Sequence, residues 1–169
     1  PLWGLRVWGK TVGIIGLGGI GKAVARRVRA FRMPVIYYNR NRDRVAEKEF
    51  EARYCPELYE LLALADIVSI HCPLTAETHH LINDEAFRTM KPTSILINAA
   101  RGGVVDEDAL IRALRDGIIS GAGLDVYENE PEVNPALMMK NVVLSPHVGT
   151  ATTEARDEMG FRVIENIEV

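Results

Sequence analysis

The sequence predicts an α/β fold in which a doubly wound parallel sheet carries helices on both faces. Short apolar runs without polar alternation recur along the chain, and such runs are typical of strands that are covered on both sides. Between them lie segments whose apolar residues recur at helical spacing. This alternation, over 169 residues, predicts one domain with a sizeable core.

The first strand and helix meet at a glycine-rich turn. Residues 12–15 form an apolar run, and three glycines follow it with the spacing G-x-G-x-x-G. Pro34 ends the helical pattern and residues 35–38 form a second apolar run, so strand, helix and strand close within about 30 residues. The helical residues that we expect to face the core are Ile20, Val24, Val28 and Phe31.

The remaining elements continue the alternation. A polar helical segment runs through Glu51, and Pro56 opens the next helix. Asn83 and Asp106 are placed to cap two further helices, the second of which Gly117 ends. Further strands are expected at residues 67–72, 94–98, 121–126 and 142–144, and inward helical stripes at Leu58, Leu61, Leu62, Ala109, Leu110, Ala113 and Leu114.

The two ends of the chain differ from its middle. Residues 1–9 contain Trp3 and Trp8 but are too few for a core, so we expect a linker that leads into the domain of residues 10–169. A last helical pattern reaches the end of the sequence without a stop signal. Its apolar residues are Met159, Val163, Ile164 and Ile167. We therefore expect a domain that is truncated at its C-terminal helix and belongs to a longer protein.

Composition argues against several classes of protein. The apolar fraction of 47% and the charged fraction of 25% are those of an ordinary globular protein, and a net charge of -3 argues against nucleic-acid binding. No apolar run approaches the roughly 20 residues needed to cross a membrane, and no signal peptide begins the sequence, so a cytoplasmic location is expected. Cys55 and Cys72 lie outside metal-ligand spacing, and no metal site is expected.

The glycine triplet has a physical interpretation as a dinucleotide site. Gly16 would permit the tight turn, Gly18 would let the backbone approach a pyrophosphate, and Gly21 would let the helix pack on the strand. The helix N-terminus would supply free N–H groups and a positive dipole to the phosphates. Such a triplet alone also occurs in simple glycine-rich turns, but its strand–helix–strand context favours a Rossmann dinucleotide-binding domain.

The residue after the second strand predicts which dinucleotide is preferred. A carboxylate at this position would bind both ribose hydroxyls of NAD and repel a 2′-phosphate. This sequence has the neutral Asn39 followed by Arg40, so NADP(H) is the predicted preference and NAD(H) remains possible. The alternative is that Arg40, Arg42 and Arg44 merely form a solvated basic loop.

Three polar stretches follow predicted strands at the edge where ligands of parallel sheets bind. They offer Arg101, then Asp125 with Glu130, and finally His147, each soon after a buried run. Together they form a candidate site.

The blocks GLGGIG, HCPLT, INAARGGVVDEDAL, GAGLDVYENEP and LSPHVGTAT give the chain a wider resemblance. In order and spacing, the sequence resembles the nucleotide-binding domain of the D-isomer-specific 2-hydroxyacid dehydrogenases, a family that includes glyoxylate and hydroxypyruvate reductases. The resemblance implies a separate flavodoxin-like substrate domain, absent from this chain, and catalysis in the cleft between the two. It therefore implies little or no turnover by residues 1–169 alone.

The resemblance also implies roles for the side chains at the strand ends. Arg101 matches the family's arginine, whose planar fork can bind a substrate carboxylate bidentately. His147 matches the acid and base that exchanges a proton with the substrate oxygen. Glu130 matches the carboxylate that pairs with this histidine and favours the protonated form used in reduction. Asp125 matches a residue near the nicotinamide amide, although it could merely cap the following turn.

The expected cofactor contacts follow from the same resemblance. They are Gly16, Leu17, Gly18, Gly19, Ile20, Gly21, Asn39, Arg40, Cys72, Pro73, Ala99, Ala100, Arg101, Asp125, His147 and Gly149. Two positions depart from the family's pattern. Gly19 stands where many members carry arginine, so pyrophosphate binding would depend more on backbone N–H groups. Arg32 stands where a glycine often ends the first helix, and a left-handed conformation there would cost about 1 kcal/mol.

The expected function is thus hydride transfer between NADP(H) and a small 2-oxo or 2-hydroxy acid, with glyoxylate or hydroxypyruvate as the expected substrate. One alternative is an NAD-dependent dehydrogenase of the phosphoglycerate or lactate type. Another is a nucleotide-sensing binding module like the family's corepressors, which can retain the same site residues. A homodimer formed through this domain is also expected, with Trp3 and Trp8 at the interface or packed on the domain.

Overall fold

The computed structural model describes residues 6–167, whose strands form one parallel sheet. The strands are β1 (Val12–Ile15), β2 (Val35–Tyr38), β3 (Arg53–Tyr54), β4 (Ile67–Ile70), β5 (Ile95–Asn98), β6 (Gly121–Leu124) and β7 (Val142–Leu144). Their order is β3-β2-β1-β4-β5-β6-β7, and each neighbouring pair is parallel. The chain builds outward from β1 to β3 and then returns to place β4 on the other side of β1. This reversal confirms the predicted doubly wound sheet.

Helices connect the strands and cover both faces of the sheet. They are α1 (Gly19–Arg29), α2 (Arg44–Phe50), α3 (Leu58–Leu64), α4 (Asp84–Thr89), α5 (Glu107–Arg115) and α6 (Thr153–Ile167). The predicted caps are present: the side chain of Asn83 accepts hydrogen bonds from the first turn of α4, and that of Asp106 does so at α5. Gly117 follows α5 at a φ of +69°, as its stop signal predicts.

The core lies in two layers, one on each face of the sheet. Because alternate strand residues point to opposite faces, Ile14 and Ile15 of β1 belong to different layers. Ile14 packs in the layer that contains buried residues of α1 and α2. Ile15 packs in the larger layer with α3, α4 and α5, which contains the predicted stripe of Leu61 and Leu62. Covering both faces explains why β1 shows no polar alternation.

Two of the four α1 residues expected in the core are exposed instead. Val24 and Val28 pack against the core as predicted, but Ile20 is 69% exposed and Phe31 is 55% exposed. The prediction for Phe31 was wrong because α1 ends at Arg29, and Phe31 lies in the turn beyond it. Ile20 lies in the first turn of α1, and the prediction for it was also wrong.

The strand predictions differ from the structure mainly at their ends. The strand β3 was not predicted, since its two residues Arg53 and Tyr54 form no apolar run. The third and fifth predicted strands end earlier, at Ile70 and Leu124. The predicted apolar residues of α6 do lie on a helix, and all of that helix's described side chains are exposed or half-exposed.

The predicted linker is only partly described. Trp8 is 53% exposed and lies beside the Arg6 guanidinium. Trp3 lies outside the described residues, as does the predicted end of the last helix at Val169. Of the helices within residues 6–167, none combines the length and hydropathy that crossing a membrane requires.

The turn after α1 contains a strained residue that can be tested. Arg32 adopts a φ of +53°, the left-handed conformation anticipated at this position. Replacing Arg32 with glycine should stabilise the domain by about 1 kcal/mol, because glycine adopts this conformation without a steric penalty. Chemical unfolding followed by circular dichroism would measure the difference. Arg32→Ala is the control, since it removes the guanidinium but retains the strain; equal stability of the two variants would contradict the explanation.

Candidate cofactor cleft and active site

The glycine turn between β1 and α1 is closely packed where the sequence predicts it. Gly16 has a φ of +94°, and a Cβ there would lie 2.6 Å from the backbone nitrogen of Cys72. A Cβ on Gly21 would lie 2.3 Å from the Gly16 carbonyl oxygen. Gly16 and Gly21 therefore have the structural roles that their spacing predicts. A Cβ on Gly18 would meet no atom within 4 Å among the described residues, so the space above this turn is open.

One cavity extends from this turn toward the ends of β2 and β4. It has a volume of about 260 Å³ and is lined in part by Gly16, Leu17, Gly18, Asn39, Arg40, Cys72 and Pro73, all of them predicted cofactor contacts. Thr75, Glu77, Thr78 and Leu81 also line it and were not among the predicted contacts. The available signal was that Thr75 ends the HCPLT block and that the other three residues follow it within six positions. Whether they contact this cavity depends on how the loop after β4 folds.

A second cavity continues along the same edge toward β5. It has a volume of about 610 Å³, and its lining includes Ile20, Leu74, Ala99, Ala100 and Arg101. Residues 71–73 line both cavities, which therefore form one cleft across the carboxyl ends of the central strands. The position of Ile20 in this wall explains its exposure.

The basic residues after β2 have different environments. Arg42 binds Glu47 bidentately, with N–O distances of 2.8 and 2.9 Å, and this pairing lowers the pKa of Glu47 to about 2. Arg44 belongs to α2 and does not line the cavity, whereas Arg40 does. Asn39 donates a hydrogen bond to the Asn41 carbonyl at 3.0 Å, within the same loop. Of the three arginines, Arg40 alone is placed to contact a ligand in this cavity.

Arg101 follows β5 on a turn that Asn98 organises. Asn98 is only 2% exposed; its Oδ1 accepts a hydrogen bond from the Ala100 N–H, and its Nδ2 donates to the Arg101 carbonyl. The Arg101 side chain is exposed in the cleft and donates to the Ala100 carbonyl at 2.6 Å. Asn98 was predicted as the end of a strand, but its part in holding this turn was not.

Glu130 and His147, which lie far apart in sequence, form a hydrogen-bonded pair. The distance from Glu130 Oε2 to His147 Nδ1 is 2.7 Å, and Glu130 Oε1 accepts a hydrogen bond from the Tyr127 N–H. The hydrogen bond from His147 is the main cause that holds the pKa of Glu130 below its ordinary value. Because an ionised carboxylate can only accept, the proton lies on Nδ1 of His147, and Nε2 is left for a ligand.

Asp125 holds the loop that carries His147. Its two oxygens accept hydrogen bonds of 2.9 Å from the N–H groups of Val148 and Gly149, and Oδ1 also accepts from the Ser145 hydroxyl. Burial raises the pKa of Asp125, but these hydrogen bonds outweigh it and leave the pKa below its ordinary value. These partners belong to the loop after β7 and not to the turn that directly follows Asp125, so they do not support the alternative that Asp125 merely caps that turn. A contact with a nicotinamide stays a prediction.

The loop of Arg101 packs closely against the loop of Glu130. A Cβ on Gly102 would lie 1.9 Å from the Tyr127 carbonyl oxygen, so the two backbones are in direct contact. The positive charge of Arg101 also contributes to the lowered pKa of Glu130. The structure therefore brings Arg101 and the Glu130–His147 pair to one end of the sheet edge, beside the cleft.

Comparisons with known proteins agree with this geometry. The family model described as "D-isomer specific 2-hydroxyacid dehydrogenase, NAD binding domain" matches residues 2–149. A glyoxylate reductase from Pyrococcus furiosus is 52% identical over 170 residues, which cover 99% of this chain and 50% of that protein. The chain thus spans about half the length of such relatives.

Solved structures show the same fold. An NADPH-dependent glyoxylate/hydroxypyruvate reductase from Sinorhizobium meliloti, in complex with NADP and malonate, is 40% identical with a TM-score of 0.94, over 99% of this chain and 52% of that one. A D-lactate dehydrogenase from Lactobacillus jensenii with NAD+ is 34% identical with a TM-score of 0.86, over 96% and 53%. The chain belongs to the D-isomer-specific 2-hydroxyacid dehydrogenase family, of which it is the NAD(P)-binding domain.

Proposed function

We propose that this domain is the cofactor-binding half of an NADP(H)-dependent oxidoreductase that reduces a small 2-oxo acid, with glyoxylate and hydroxypyruvate as the expected substrates. The observation that carries the proposal is the hydrogen bond between Glu130 and His147. This pair lies at the same end of the sheet edge as Arg101. A 2-oxo acid needs a cation for its carboxylate and a proton donor for its carbonyl oxygen, and these residues supply both. The names of the similar reductases support the same substrate class.

The proton chemistry follows from the orientation of the imidazole. Glu130 accepts from Nδ1 of His147, so Nε2 of the protonated imidazole would donate to the substrate oxygen during reduction. In the oxidative direction the neutral Nε2 would take the proton from the hydroxyl. The Glu130 carboxylate stabilises the charged imidazolium and prevents the ring from turning. Arg101 would hold the substrate carboxylate with its planar guanidinium.

The cleft fits a dinucleotide. Gly16 and Gly21 bring the N-terminus of α1 against the end of β1, and the open space at Gly18 leaves room for phosphates near the first N–H groups of the helix. When bound, the reduced nicotinamide would supply the hydride for the carbonyl carbon. Ala99 and Ala100 would border the ligand with small side chains beside Arg101.

The proposed preference for NADP(H) rests on Arg40. Replacing Arg40 with aspartate should lower the affinity for NADPH relative to NADH, because a carboxylate repels the 2′-phosphate and can bind the ribose hydroxyls. Calorimetric titration of both cofactors would measure the two affinities. Arg44→Asp is the matched control, since Arg44 does not line the cavity. An unchanged affinity ratio in Arg40→Asp would contradict the assignment.

The activity itself is tested by steady-state turnover of the full-length protein with glyoxylate, hydroxypyruvate and pyruvate, each with NADPH and NADH. We expect turnover with the first two substrates and a preference for NADPH. Preference for pyruvate with NADH would favour the lactate type instead. Complete inactivity with every pair, while cofactor still binds, would favour a nucleotide-sensing module. We also propose that the protein is a homodimer through this domain, which light scattering on the same sample tests; a monomer alone would count against it.

A further inference from the structure

The loop after β4 brings a carboxylate to the same end of the cleft as Arg40. Glu77 and Arg40 line one cavity, although they come from the loops that follow different strands. Glu77 Oε2 accepts a hydrogen bond of 2.6 Å from the Thr75 hydroxyl. The Thr75 N–H in turn donates to the hydroxyl oxygen of Thr78 at 2.8 Å, and the Thr78 hydroxyl donates to the Pro73 carbonyl at 2.6 Å. The bond from Thr75 thus orients the carboxylate, and the other two hold Thr75 and Thr78 within the loop.

Some of the charged side chains near this cavity are paired in salt bridges, and others line the cavity. Lys22 forms a salt bridge with Asp43 at 2.7 Å, and Arg42 is committed to Glu47. Within residues 6–167, the acidic and basic side chains that line the cavity are Arg40, Glu77 and His71, and burial lowers the pKa of His71. The hydrogen bond from Thr75 and the positive charge of Arg40 lower the pKa of Glu77, which is therefore ionised at neutral pH.

We propose that Glu77 is a specificity-determining residue that weakens the binding of NADP(H) relative to NAD(H) and so limits the preference created by Arg40. A 2′-phosphate bound beside Arg40 enters a cavity that a fixed carboxylate also lines, so like-charge repulsion opposes it. A dinucleotide without this phosphate does not experience that repulsion. The inference rests on the proposed cofactor function, because it assumes that the adenosine end of the cofactor occupies this cavity.

The size of the effect follows from the exposure of the groups. Glu77 and Arg40 are both exposed, so water and salt reduce the interaction between their charges and a phosphate. Removing the Glu77 charge should therefore raise the affinity ratio of phosphorylated to unphosphorylated nucleotide by about threefold to tenfold at low salt. The gain should diminish as the salt concentration rises.

Adenosine-only probes isolate this end of the cleft. Calorimetry on the full-length protein would compare 2′,5′-ADP with 5′-AMP for the unaltered protein and for Glu77→Gln. Glu77→Asp retains the charge and should leave the ratio of the two affinities nearly unchanged. Asp116→Asn is the control for net charge, since Asp116 is exposed at the far end of α5 and should have no effect on the ratio.

The outcomes separate this inference from the cofactor proposal. A raised ratio in Glu77→Gln alone supports the role of Glu77. An unchanged ratio in Glu77→Gln overturns it, even if the unaltered protein prefers 2′,5′-ADP and the NADP(H) proposal stands. If the unaltered protein shows no such preference but Glu77→Gln creates one, the proposed NADP(H) preference fails and the role of Glu77 is supported.

Discussion

Replacing His147 with asparagine in the full-length protein should lower the rate of 2-oxo acid reduction by about 10²–10⁴-fold, because the substrate oxygen loses its general acid. His147 is one of the expected cofactor contacts, but it lines neither cavity of the cleft, so cofactor affinity should change little. Steady-state kinetics and cofactor titration measure the two quantities. Retention of most of the activity would show that the Glu130–His147 pair is structural.

The partner of His147 provides a sharper version of this experiment. Glu130→Gln keeps the shape of the side chain but removes the negative charge that stabilises the imidazolium. The rate of reduction should therefore fall, which steady-state kinetics would show. Glu132→Gln, an exposed residue of the same loop, is the matched control and should leave the rate unchanged. An unchanged rate for Glu130→Gln would contradict the proposed role.

The stability of the fold should also depend on pH through the ionisation of Glu130. The pKa of Glu130 is lowered in the folded protein, so its pairing with His147 stabilises the fold above the ordinary pKa of a glutamate. This contribution is lost as the pH falls through the lowered pKa and the carboxyl becomes protonated. In Glu130→Gln, the free energy of unfolding should therefore depend less on pH in the acid range.

Replacing Gly102 with alanine should destabilise the domain by about 3 kcal/mol. The added Cβ would lie 1.9 Å from the Tyr127 carbonyl oxygen and 2.5 Å from the Glu128 nitrogen, so two backbone segments would have to separate. Because these segments carry Arg101 and Glu130, activity should fall together with stability.

The neighbouring glycine is a matched control for this experiment. A Cβ on Gly103 would contact only side-chain atoms among its nearest neighbours, of Leu74 at 3.3 Å and of His79 at 3.7 Å. Gly103→Ala should therefore be tolerated at a cost of less than about 1 kcal/mol. Chemical unfolding of both variants measures the difference. Equal stability of the two would show that the loops do not depend on the contact at Gly102.

Features that depend on local backbone conformation were predictable. Asn83 and Asp106 cap helices because their side chains reach N–H groups two or three residues ahead. The φ values of Gly16 and Arg32 likewise follow from the turn that each must make. The short strand β3 was missed because its two residues are defined by pairing with β2, which no local pattern reveals.

The residues of the candidate site could be predicted from the sequence, but their arrangement could not. Arg101, Glu130 and His147 could be identified from the blocks that contain them, whereas their arrangement depends on the order of β5, β6 and β7 in the sheet. Asp125 could be identified as a strand-end residue, but its bonds to Val148 and Gly149 required the fold. Only the fold showed that Arg40 lines the cavity whereas Arg42 is paired with Glu47.

The sequence by itself determined the doubly wound sheet, the glycine turn and the identity of the family, because hydrophobic period, turn chemistry and motif order are properties of neighbouring residues. The tertiary structure alone decided that two loops pack against each other at Gly102, where a side chain would not fit, and that Glu77 lines the same cavity as Arg40. It also decided that Ile20 lines the cleft instead of the core. These contacts join residues from separate crossovers, and only the packing of the strands determines which loops meet.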